Sequence, residues 1–447
     1  QLRNTSNNAH INLFSLAGGP AFAVDGTINS VNIGKGANSV SGNTVLGESA
    51  LDSGSLSGAN NTAIGKDALT ALTSGAQNVA LGANALDANT TADRNTAIGT
   101  SSLGTNSTGA NNTSVGYAAL FNNTTASSNT AVGYQSLLAN TTGTQNTALG
   151  TNALDANTTA SNNTAIGYDS LGLNTTGTFN SAVGSEALRQ NTTGGSNTAV
   201  GLNALQQNTT ASNNTALGTS ALGANTTGAS NVAVGSLALD ANTTGADLTA
   251  VGSGALGANT TGSFNVGIGK EALRANTTAS SNTALGYNTM ASTITGSGNV
   301  GVGTLALGAN TTASNNTAVG NEALRVNTTG ANNVAVGALA LDANTTASNN
   351  TAVGYNSLGA NTTGDRNVAL GFEAMFTNSV GDRSVAVGFQ ALYSQNPASK
   401  EDLNNVAIGY SAGFAMTTGS GNVAIGEAAL DANTTADNNT AVGARSL

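Results

Sequence analysis

Apolar residues recur along this chain as adjacent small and large pairs, with neither a helical nor a strictly alternating period. Ala131-Val132 is followed five positions on by Ser136-Leu137, and a polar Asn-Thr-Thr stretch comes next. The whole block returns every 17 residues: the copy at 146–162 reads NTALGTNALDANTTASN. Counting the marker Asn as position 1, its glycine at position 5 recurs at steps of 17 from Gly65 to Gly388 without a slip. Gly47 lies 18 residues before Gly65, Gly409 lies 21 after Gly388, and Gly426 and Gly443 resume the period, which makes 24 copies.

Seventeen residues are too few for a helical-hairpin repeat, and Gly, Asn and Thr are poor helix formers. The pattern predicts an all-β fold, a β-solenoid or β-roll in which each copy is one coil and equivalent residues stack about 4.8 Å apart. One self-coiled chain of that rise would be roughly 115 Å long. Gly at position 5 suits a corner that needs positive φ, and Asn-Thr-Thr suits a second corner where Asn binds backbone. Neighbouring strand residues face opposite ways. The large residues at positions 4 and 9, such as Val132 and Leu137, are therefore expected to fill the coil. The small ones at positions 3 and 8, such as Ala131, Ala182 and Ser136, are expected to turn outward as a flat face for other chains, packing the coils as a parallel homotrimer. Asp155 is expected to be exposed.

Residues 1–46 escape the lattice and read as a cap or adaptor with short strands at 11–16, 21–24 and 28–33 and a turn at Asp25-Gly26. Residues 47–447 form the shaft, with a loop insertion near 393–403 around Asn396-Pro397. Leu447 ends the chain in mid-coil without a polar cap, so a natural polypeptide that continues, or a removed segment, is expected.

Composition narrows the chemistry. The chain has 12 Lys and Arg against 22 Asp and Glu, a net charge of -10, which disfavours nucleic acid because phosphate binding needs a basic face. No apolar run nears the roughly 20 residues that span a bilayer, so no membrane insertion is expected. With no Cys there is neither disulfide nor thiolate chemistry. The single histidine, His10, has no acidic neighbour, and the acids repeat at ladder positions instead of converging. No catalytic residue, cofactor or metal site is expected, and the chain does not read as an enzyme. Asn-Thr-Thr triplets such as 89–91 and 208–210 match the glycosylation sequon, yet their regularity favours structural corners. Three Glu-Ala-Leu-Arg copies (Glu186/Arg189, Glu271/Arg274, Glu322/Arg325) can pair opposite charges.

Position 6 collects six of the seven tyrosines, and on four consecutive coils it holds Tyr355, Phe372, Phe389 and Tyr410. This candidate aromatic ladder either fastens the coils or docks sugars or a partner fibre protein.

The marker, as in Asn129-Thr130-Ala131-Val132-Gly133 and Asn405-Val406-Ala407-Ile408-Gly409, resembles the head repeats of trimeric autotransporter adhesins, which build a trimeric β-roll. The longer copy with its Ala-Asn-Thr-Thr-Gly corner, and the leading INLFSLAGGPAFAVDGTINSVNIGKG, resemble repetitive bacteriophage tail-fibre proteins. The resemblance implies a structural shaft of a phage tail fibre, located in the virion, that presents a host-binding tip. Its partners would be itself as a homotrimer, other fibre or virion proteins at the ends, and host surface glycan. The alternative is an extracellular bacterial surface adhesin that binds glycans or matrix through its own side.

Overall fold

The computed structural model describes residues 26–28 and 30–447. His10, the expected strands at 11–16 and 21–24 and the Asp25-Gly26 turn lie outside the described residues. The chain divides after Ala165 into two compact units, each an all-β parallel solenoid. Twenty-four strands from Thr44–Glu48 onward carry the repeat, forming about 23 coils, and the described residues contain no α-helix.

The expected strand at 28–33 is a hairpin instead. β1 (Gly26–Ile28) pairs antiparallel with β2 (Val31–Gly34), and β2 pairs antiparallel with β3 (Thr44–Glu48). From β3 to β4 (Thr62–Ile64) the pairing becomes parallel, so the solenoid begins at Thr44. Thereafter each three-residue strand lies in register with its counterpart one repeat on, as in Thr198↔Thr215, Ala199↔Ala216 and Val200↔Leu217. The irregular spacings keep the same register, Val45↔Ala63 across the 18-residue step and Ala386↔Ala407 across the 21-residue step. The extra residues of the longer coil leave as a loop, exposed at 398–402 and anchored by the buried Pro397 and Leu403.

The assignment of faces is the reverse of the sequence expectation at the strand. Ala131 and Ala182 at position 3 are fully buried in their own coil, together with Ser136 and Leu137 at positions 8 and 9. The large residue at position 4 points outward, as Leu217 (47% exposed) and Leu285 (46%) show. Adjacent residues do face opposite ways, but volume decides which of the two goes in. The coil is narrow, and the Leu at position 9 already fills it. At Gly267, where position 3 has no side chain, an added Cβ would lie 3.2 Å from Leu256 Cγ. At Gly301 it would meet Thr289 Cγ2 at 2.8 Å and Met290 Cε at 3.0 Å, so the larger Thr289 and Met290 occupy the space that the glycine vacates. Asp155, expected to be exposed, is half-buried.

Positions 8 and 9 both point inward because this segment is not extended. Asn203 and Leu205, at positions 7 and 9, have φ of 57° and 52°, and the same left-handed conformation recurs at these positions along both units. A leucine held there costs about 1–2 kcal/mol. Complete burial of its side chain returns about 1.5–3 kcal/mol, and Leu205 N–H also donates to Ala221 O at 3.0 Å, so the conformation is sustained coil by coil.

Two buried columns of asparagine close most coils. Asn214, at position 1, donates its backbone N–H to Asn197 Oδ1 (3.0 Å) and its amide to Gly228 O (3.0 Å). Asn225, at position 12 of the same coil, donates to Asn208 Oδ1 (3.1 Å) and to the same Gly228 O (2.9 Å). One carbonyl thus ties both corners of a coil, and each asparagine also reaches the coil before, Asn214 by its backbone N–H and Asn225 by its amide. Asn89 and Asn208 have no exposed surface, so these two sequons are structural corners and closed to glycosylation in the folded chain.

The position-12 column has a gap at Thr293. Asn276 Oδ1 is buried without a partner there, and Asn310 reaches Thr293 Oγ1 only at 3.5 Å. Thr293→Asn should supply the missing donor and raise stability by about 1 kcal/mol, read as a higher denaturation midpoint in urea. A lower midpoint would show that the site cannot hold the amide.

Candidate functional site

The four aromatics singled out at position 6 form one continuous stack. Ring centroids are 5.3 Å apart from Tyr355 to Phe372, 5.2 Å to Phe389 and 5.0 Å to Tyr410, with interplanar angles of 18°, 6° and 4°. The in-register coil step produces this geometry, since it sets identical positions one rise apart. The rings are near-parallel and follow one another at about one coil rise. All four side chains are exposed. Tyr117 and Tyr134 make a shorter stack at 5.4 Å and 12°. Tyr168 and Tyr287 stand at position 6 without a ring neighbour among the described residues.

A second column runs alongside, at position 10 of the same coils. Phe376, Tyr393 and Phe414 stack at 5.5 and 5.2 Å. It is not obvious in the sequence because position 10 varies widely from coil to coil, carrying Gly, Asp or Arg on most of them. Between the columns stand the position-7 residues Glu373, Gln390 and Ser411, and Gln390 Nε2 donates to Glu373 Oε2 at 2.8 Å. At the far end the columns open into a cleft of about 420 Å³ bounded by Tyr410, Phe414, Glu427 and Asp431. Arg445 Nη2 lies 3.6 Å from Glu427 Oε1 at its edge.

The three Glu-Ala-Leu-Arg copies diverge. Arg189 Nε contacts Asp169 Oδ2 at 2.5 Å, and its Nη1 lies 3.9 Å from Glu186 Oε2. Arg325 Nε lies 3.1 Å from Glu322 Oε2. Among the described residues no ion pair joins Glu271 to Arg274; the place that Asp169 takes beside Arg189 is held by Gly254 beside Arg274. The arginines are exposed and the acids half-buried, and pairs at the surface contribute about 0–1 kcal/mol. The loop insertion is held more firmly: Lys400 Nζ donates to Thr363 O (2.8 Å) and Asp365 Oδ2 (2.5 Å), and Arg383 Nη1 meets Asp402 Oδ2 at 2.7 Å.

Burial raises the carboxyl pKa of Asp87, Asp240 and Asp342, all at position 10, and of Asp382 beneath the loop. Asp382 is also raised by Asp365 and Asp402, while Lys400 opposes. These acids are spread over separate coils or bound into ion pairs, and none faces a second carboxyl across a cleft. Among the described residues no group of three His, Cys, Asp or Glu side chains converges to hold a metal ion. No protein-family model matches the chain, and no curated protein is significantly similar to it.

Proposed function

We propose that the chain is the structural shaft of an extracellular fibre, of the bacteriophage tail-fibre kind, in which parallel copies associate along their lengths to carry a host-binding tip. The observation that supports this most is the outward face of the strands. Position 4 is Val, Ile or Leu in all 24 copies, and position 2 is Thr, Ser or Val in every one. No charge interrupts that strip, although the chain as a whole carries -10. An apolar strip of this length is costly in water and calls for a cover.

A second copy of the same chain fits it best, because only a partner with the same coil rise keeps its side chains in step with the strip along a whole unit. Each coil offers about 50 Å² of strand face, so the 16 strands from Ser181–Val183 onward offer about 800 Å², the share one partner brings to a stable interface. Three strips around a common axis would cover position 4 from both sides, which is the homotrimer. Stiffness follows from the ladders: bending would stretch backbone bonds and both Asn columns together.

Native mass measurement should return three chains. Leu217→Glu with Leu285→Glu, both outside the coil, should release single chains whose β-sheet circular dichroism is unchanged. A wild-type chain that is monomeric at micromolar concentration, or a double variant that stays trimeric, would remove the reading.

A further inference from the structure

We infer that the two aromatic columns between Tyr355 and Phe414 line a lateral binding groove for a linear, uncharged glycan. The groove is confined to a few coils of the second unit and is distinct from the apolar strip on the strands.

Its composition is local. Position 10 is Gly, Asp, Arg, Ala, Gln or Thr on most coils; only on the three that carry Phe376, Tyr393 and Phe414 do rings stack there, and on these coils position 6 is aromatic too. A column that served only to fasten coils would need one rail, as Tyr117 and Tyr134 have. Two rails with Glu373, Gln390 and Ser411 between them make a trough with aromatic walls and a polar floor. The aromatic walls offer exposed apolar carbon surface that the axial C–H bonds of a pyranose can cover. The floor offers a carboxylate, an amide and a hydroxyl, so sugar hydroxyls find both acceptors and donors.

Spacing favours a polymer over a single sugar. The rings repeat at 5.0–5.5 Å along the column, and an extended β-linked hexose chain advances by nearly the same step per sugar. Successive sugars would therefore meet equivalent side chains, and each would add a similar increment of affinity. Charge selects the class. Glu373 lies in the floor and Glu427 and Asp431 at the open end, where the one cation, Arg445, already faces Glu427. Uronate or sialate polymers would be repelled, whereas neutral hexose or N-acetylhexosamine chains would not.

The test uses the full chain on an array of linear β-linked glucose and N-acetylglucosamine oligomers of two to eight sugars, with oligogalacturonates as acidic counterparts. Binding should strengthen with length up to about four sugars, matching the four rings of the longer column. Phe389→Leu with Tyr393→Leu keeps apolar contact between coils but removes the flat faces, and should weaken binding by about tenfold or more. Gln390→Ala, which leaves every ring in place, should weaken it too, and Tyr287→Ala should not. Melting curves and native mass are recorded for each variant. The inference is overturned if no oligomer binds, if acidic oligomers bind as well as neutral ones, or if the double Leu variant binds unchanged. It is overturned equally if that variant loses assembly, which would put the rings between chains.

Discussion

Gly201→Ala should open its coil, lowering stability by about 3 kcal/mol or more, whereas Gly223→Ala should be nearly neutral. Two independent costs fall on Gly201. Its φ is 133°, a conformation that side chains rarely adopt, and an added Cβ would lie 2.6 Å from the carbonyl oxygen of Gly218 on the next coil. The strained backbone costs about 1–3 kcal/mol and the forced separation of coils a similar amount. The oxygen cannot retreat, because the in-register stack fixes its distance. Gly223 stands at position 10, where other coils carry Asp, Arg or Phe, and its nearest neighbour to a new Cβ is 3.2 Å away. The check is limited proteolysis with a thermal melt: a new cleavage site near 201 for the first variant and none for the second. Equal behaviour of the two would mean that the corner has slack that the geometry denies.

Excision of residues 197–213 should leave a folded chain with one coil fewer, and excision of 197–214 should not. The first cut brings Ala182 against Ala216 and Asn180 beneath Asn214, identical partners to those removed. The second leaves a coil of 16 residues and deletes Asn214, whose amide helps tie Gly228 O. Longer coils exist here, with 18 and 21 residues, because surplus leaves at a corner; a deficit has no such exit. The short coil must either break or slip by one residue, which would turn Thr215 and Leu217 inward and Ala216 outward. Circular dichroism and melting temperature should match wild type for the first protein and fall sharply for the second. A stable 16-residue coil would show that closure tolerates a missing residue.

The repeat, its parallel register and the glycine corner were legible because each imposes one residue type at one spacing. The direction of the strand side chains was not. Alternation places Ala199 and Val200 on opposite faces but leaves open which is inside, and that is decided across the coil by Leu205. The left-handed turns at Asn203 and Leu205 were equally hidden, since neither is glycine: burial and a backbone bond to Ala221 O sustain Leu205, and Asn203 N–H donates to Ser185 O. The position-6 aromatics could be read directly from the lattice. Their companions at position 10 cross the same 21-residue step as Phe389 and Tyr410 and sit in the same lattice, but the pattern does not stand out because position 10 changes freely, among Gly, Asp and Arg on most other coils.

The same interchangeability that makes a whole coil expendable creates an ambiguity during folding. A segment that docks one coil too early recovers nearly every ladder bond, so ordinary copies carry almost no address. Departures from the repeat do. The 18-residue first coil, Leu248 and Ser384 in place of a marker Asn, Leu72, Thr293, Gln395 and Met416 in the second Asn column, and the strapped 21-residue coil mark particular places, and only the native alignment satisfies all of them together. What looks like erosion of the repeat therefore works as a set of signposts, and a chain made perfectly regular would be more stable coil by coil yet slower to find a single structure.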